Sequence, residues 1–159
     1  MQLDILRNVS LLRDLTDEEL AEFASLIVLR ETSAGEKIIE EGNTVSAFYI
    51  VFDGAFHARR LAQKREMLLG RLGVGSFFGE INLFDPGVAT ASIYSMKRGQ
   101  LACIPYRALR EFMDANCRAG FKIVSAMMTE TARRLRQSGA RLVNAVFWQK
   151  EGPQMTRQE

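Results

Sequence analysis

The chain has 159 residues, 47% of them hydrophobic, enough for one compact domain to bury a core without disulfide or metal staples. Its 21 Lys and Arg against 19 Asp and Glu leave a formal charge of +2, which excludes a molecule-wide field that draws proteins to nucleic acid or anionic membranes. Cys103 and Cys117 have no CxxC spacing, so neither a disulfide framework nor a thiolate metal site is implied, and reducing cytosol is the expected compartment. Asp4 and Arg7 interrupt the N-terminal apolar positions and no eighteen apolar residues run together, so the chain reads as soluble, without signal peptide or membrane span.

In chain order, Leu12, Leu15, Leu20, Phe23, Leu26 and Ile27 recur about three and four apart. Thr16 followed by Glu19 is a capping-box signature, so the pattern predicts a short helix over Asp17 to Ser25. From Ile27 to Ile104 the period changes to short β-type runs at Ile27–Leu29, Lys37–Glu40, Ala47–Phe52, Phe56–Leu61, Glu66–Leu72, Ala91–Tyr94 and Gln100–Ile104. Glycines stand regularly between them, which reads as tight turns in an antiparallel roll or barrel. After Pro105 the helical period returns with Leu109, Phe112 and Met113, and Asn116 is a stop. From about Arg118 to Trp148 no proline interrupts a single long helix. Phe121, Met128, Leu135 and Leu142 sit seven apart on it, a spacing that can meet a second copy of itself. The half before Leu135 is expected to pack on the chain's own sheet. Past Arg136, the residues Leu142, Val143, Val146, Phe147 and Trp148 need another partner, and a homodimer through helix 118–148 is the simplest. The domain is expected over 1–149, with a polar tail at 150–159.

Phe77-Phe78-Gly79-Glu80-Ile81-Asn82-Leu83-Phe84-Asp85-Pro86-Gly87-Val88-Ala89-Thr90-Ala91-Ser92-Ile93 resembles the phosphate-binding cassette of cyclic-nucleotide-binding domains, found in the catabolite-activator family, protein kinase A regulatory subunits and gated channels. Further segments resemble other parts of that family in order: Glu36 to Gly42 its second strand and turn, Phe48 to Val51 its third, Leu101 to Pro105 its last, and Ala132 to Leu135 its long helix. The resemblance implies a mainly β fold with helices, an eight-stranded antiparallel, jelly-roll-like β-roll with a short N-terminal and a long C-terminal helix. It implies a ligand site at Gly79, Glu80, Ile81 and Asn82, with Glu80 accepting hydrogen bonds from a ribose 2′-hydroxyl. Thr90 falls on the family's hydroxyl position, and Ser138 where members present a hydroxyl to the base. In the family an arginine nine residues after the glutamate pairs with the cyclic phosphate. Here that position is Ala89, preceded by Val88 where the family has proline.

A bidentate arginine is among the stronger phosphate partners, and losing one such contact costs about 2–5 kcal/mol, on the order of 30-fold to a few thousand-fold in affinity. Three readings follow. The domain still senses cyclic AMP or cyclic GMP, with Arg71 or Arg59 replacing the lost charge; the pocket takes another nucleotide or a neutral metabolite; or the pocket is vestigial and the roll is a dimeric interaction module. No cofactor is implied, and a protein partner near Phe147 and Trp148, the hinge to an output domain in this family, is expected but not identified.

Direct DNA binding is not expected, since only eleven residues follow Trp148 and none can form a recognition helix. The cluster Arg133, Arg134, Arg136 and Arg141 reads as a solvated helix face. His57 is the sole histidine, so a His-rich metal centre is excluded, and it reads as a strand residue on the roll's surface. No P-loop, Gly-x-Ser-x-Gly or HExxH occurs, and catalysis is not expected. Gly73-x-Gly75 with Gly79 opens no long helix and is not a dinucleotide fingerprint. Met127 and Met128 read as core filling.

Overall fold

A computed structural model describes residues 3–150, with side-chain environments over 5–141. The expected tail from 151 on, and the surroundings of Leu142, Val143, Val146, Phe147 and Trp148, lie outside the described residues. The order is α1 (Leu3–Arg7), a 3-10 turn (Ser10–Leu12), α2 (Asp17–Ser25), β1 (Val28–Thr32), β2 (Lys37–Ile39), β3 (Ala47–Asp53), β4 (Phe56–Ala62), β5 (Arg65–Leu72), β6 (Phe77–Phe78), α3 (Glu80–Phe84), β7 (Ser92–Ser95), β8 (Gly99–Pro105), α4 (Tyr106–Ala115) and α5 (Cys117–Lys150). The chain divides into two compact units, one through Ile123 and one from Val124, the second beginning within α5.

Helix α2 covers the predicted span because both halves of its capping box form: the Thr16 hydroxyl accepts from the Glu19 amide at 3.2 Å, and the Glu19 carboxylate accepts from the Thr16 amide at 2.9 Å. The same carboxylate takes the Lys122 ammonium at 2.7 Å, tying α2 to the base of α5. A second tie runs from Asn116 to Glu22 at 2.9 Å.

The eight strands form two antiparallel sheets of four, in the orders β1-β8-β3-β6 and β2-β7-β4-β5. Side chains alternate between faces along a strand, so each sheet has a roll-interior face and an outer one. The interior cluster joins Val51, Phe78 and Leu101 of the first sheet to Ile39, Phe56, Leu72 and Ile93 of the second. On the other face of the first sheet Phe48, Ile50, Ala102 and Ile104 are buried too, as are the helical residues Leu20, Phe23, Leu109 and Phe112. Phe23 and Phe112 meet edge to face at 5.8 Å, joining α2 to α4. Burying one such ring stabilises by roughly 1.5–3 kcal/mol.

Two features depart from the sequence reading. β6 is only two residues long, too short to leave a periodic signal. On α5, Phe121, Met128 and Leu135 are 75%, 65% and 72% exposed, so the heptad stripe is not the buried face of the helix. Spacing of seven identifies a stripe without saying which face it lies on. The buried hydrophobic side chains are Ala119, Ile123 and Met127, one helical face over. Met127 is thus buried as expected, whereas Met128 is not.

The β4–β5 hairpin closes with Ala62 paired to Arg65, and both central residues have left-handed backbones, Gln63 at φ 47° and Lys64 at φ 66°. Such turns favour Asn-Gly, and a side chain in this region is strained. Lys64→Gly is therefore expected to stabilise by about 1 kcal/mol, a rise of about 2–4 °C in thermal midpoint, as read by circular dichroism. An unchanged or lower midpoint would count against a strained turn.

Acid sensitivity should trace in part to Glu19. Hydrogen bonds from Lys122 and then from the Thr16 amide hold its carboxyl below the ordinary 4.5, so its stabilisation is present above that pH and lost as pH falls through the lower folded-state value. Urea midpoints across pH are expected to show Glu19→Gln less stable than wild type at neutral pH and level with it well below 4.5. Parallel curves would refute this assignment.

Candidate functional site

The cassette begins where β6 pairs with β3, with Tyr49 opposite Phe78 and their rings stacked at 4.9 Å. Gly79 then turns the chain into α3 with a left-handed backbone, φ 87°, and a Cβ there would sit 2.7 Å from the Ala47 carbonyl oxygen. Conformation and space both require glycine. The Tyr106 hydroxyl of α4 donates to the Gly79 carbonyl at 2.5 Å, and the Arg110 guanidinium, one turn further along α4, donates to the Leu83 carbonyl. Burial first, then Tyr49 and Glu80, pushes the Tyr106 hydroxyl far above its ordinary value, so it stays protonated as a donor. Sequence reasoning missed this clamp, because Tyr106 and Arg110 look like ordinary residues of an amphipathic helix.

Within α3, Glu80 and Asn82 are buried and Ile81 is half exposed. The Asn82 amide donates to the carbonyls of Gly87 at 3.0 Å and Val88 at 3.2 Å, folding the following loop back on the helix. That loop is held from the other side as well. The Ala89 amide donates to the Asn43 carbonyl and the Gly42 amide to the Ala89 carbonyl, each at 2.8 Å, and Thr44 bridges Val88. Ala89 is 4% exposed and belongs to the interior apolar cluster with Ile39, Val51, Phe56, Phe78 and Ile93. The arginine position of the cassette therefore faces the inside of the roll, while Thr90 beside it is exposed.

The structure gathers Gly79, Glu80, Ile81, Asn82, Ala89 and Thr90 into one continuous element. Ser138 lies exposed on the second unit, on α5. Arg59 and Arg71 are not brought to Ala89. In β4, Phe56 and Ala58 face the interior, so His57 and Arg59 face outward, and Arg71 is paired opposite His57 on that outer side. Arg59 is engaged there by Glu66 at 3.3 Å and by the Tyr94 ring at 5.2 Å. Strand parity sets the direction of these two arginines. His57 has its pKa lowered by burial first, then by Arg59 and Arg71, as suits a neutral residue within a row of cations.

A family model, the cyclic nucleotide-binding domain, matches residues 29–116. The chain is 33% identical to a cAMP-dependent protein kinase regulatory subunit of Mycosarcoma maydis, over 55% of this chain and 17% of that protein. It is 29% identical to the cAMP-activated global transcriptional regulator CRP of Haemophilus influenzae, over 75% of this chain and 52% of that one. It thus spans about half or less of the length of these relatives. Among solved structures it superposes on the catabolite activator protein of Thermus thermophilus with a TM-score of 0.75 at 26% identity, covering 87% of this chain and 63% of that one. A cyclic nucleotide-binding domain from Methylobacillus flagellatus shares the fold, with a TM-score of 0.80 at 19% identity, covering 90% and 81%. With the family match spanning more than half of its length, the chain belongs to the cyclic nucleotide-binding domain family.

Proposed function

We propose that this chain is a non-catalytic regulatory domain that takes a cyclic mononucleotide, cyclic AMP or cyclic GMP, through a cassette whose phosphate contact has changed, so that binding is weaker than an arginine at position 89 would give. The observation that carries this reading is the combination of a retained cassette, with left-handed Gly79 and buried Glu80, and an apolar Ala89 facing the roll interior. Glu80 keeps a carboxylate for a ribose hydroxyl, whereas position 89 has no charge to offer a phosphodiester. The similar proteins are regulators by name, a kinase regulatory subunit and a transcriptional regulator, which supports signalling rather than catalysis.

Isothermal titration with cyclic AMP and cyclic GMP tests it. Ala89→Arg, checked for a native thermal midpoint, is expected to tighten binding by about 30-fold or more over wild type. A folded variant that binds no better than wild type sinks the reading.

One observation favours a second role alongside this. Phe121, Met128 and Leu135 are exposed at heptad intervals on α5, the arrangement that a second copy of the helix covers. On this reading the chain is a homodimer through helix 118–148, and the module works through its assembly even where the pocket is empty. Sedimentation is expected to give a dimer for wild type and a monomer for Leu135→Asp; a monomeric wild type removes this role.

A further inference from the structure

With Arg59 and Arg71 on the outer face, the same parity that removes them selects a different cation. β4 carries no extra residue opposite its bulge, because Ala58 pairs with Gly70 and Arg59 with Leu68, leaving Leu69 as the additional residue on β5. Alternation along β4 therefore runs unbroken, and Phe56, Ala58 and Arg60 share the roll-interior face.

The surroundings of Arg60 lead back to the cassette. Its guanidinium meets Glu41 at 3.5 Å. Glu41 is fixed from both ends: its carboxylate accepts the Leu61 amide at 2.9 Å and its own amide donates to the Ser92 hydroxyl at 2.9 Å. The next residue, Gly42, donates its amide to the Ala89 carbonyl. From the other side, Arg59 pairs with Ser92, so the antiparallel register carried one step further sets Arg60 opposite Ala91, two residues from Ala89. Two strand residues span about 7 Å, a gap that a long, flexible arginine can bridge. Arg60 is 60% exposed and its contact with Glu41 is loose, so its fork of donors is free to turn, unlike that of Arg59.

We propose that Arg60 is the specificity residue that meets the anionic group of a phosphate-bearing nucleotide in this roll, held in waiting by Glu41 and taking over the charge that position 89 lacks. The ligand's phosphate is then met from the β4 side of the cassette, at the rim, rather than from inside the loop. This rests on the reading that the pocket still takes a nucleotide.

The test titrates cyclic AMP and adenosine, which share base and ribose but differ in the phosphate, into wild type, Arg60→Gln, Arg60→Lys and Ala89→Arg. Arg60→Gln is expected to weaken cyclic AMP about 30-fold while changing adenosine less than about 2-fold, with Arg60→Lys recovering part of the loss. Equal affinity of wild type and Arg60→Gln for cyclic AMP, or parallel losses for both ligands, overturns the assignment. If wild type is silent while Ala89→Arg binds cyclic AMP, Arg60 is no substitute, although the weakened-cassette reading stands. If neither binds, both readings fall.

Discussion

The close passage of the chain at Gly79, against the carbonyl of Ala47, is the constraint on which the rest of the cassette depends. It fixes where β6 ends and α3 begins, and it brings the Gly79 carbonyl under the Tyr106 hydroxyl of α4. A side chain at this point would push the cassette away from β3, and the backbone angle would oppose it as well. Once the turn is set, α3 is bound at both ends by α4, through Tyr106 at its start and Arg110 at its end. Glu80, the first residue of α3, is buried beside the turn.

Much of this was legible in the residues. The capping box of α2 was visible because its signals are local and three residues apart. The seven longer strands were visible because alternation and turn glycines recur over the stretch that forms them, with boundaries shifting by one to three residues. β6 was not, since two residues carry no period; only the resemblance implied an eighth strand. The cassette residues were legible as a contiguous motif, whereas Tyr106 and Arg110 act across 27 positions of sequence and leave no local mark. Direction was the harder matter. Arg59 and Arg60 are neighbours in sequence yet point to opposite faces of one sheet, and only the pairing of the hairpin, with its extra residue at Leu69, says which is which. The α5 stripe failed for a related reason, since a period identifies a face but not what covers it.

The electrostatics of the second sheet follow from the same division of faces. Outside, Lys37 and Arg59 flank the ring of Tyr94, whose hydroxyl is taken by Glu66 at 2.8 Å, so these cations are spent on an aromatic and on carboxylates. Inside, the neighbourhood of Ala89 is apolar. An arginine introduced there would have to displace part of that cluster or find an anion.

The path of the loop at Ala89 is held by backbone hydrogen bonds to Asn43 and Gly42 on one side and by the reach of Asn82 to its neighbours on the other. The Ala89 methyl group adds packing inside the roll, in the interior apolar cluster. Because amides and carbonyls set the path, a change of residue there acts on the packing of the roll interior and on what that interior can hold, rather than on the course of the loop.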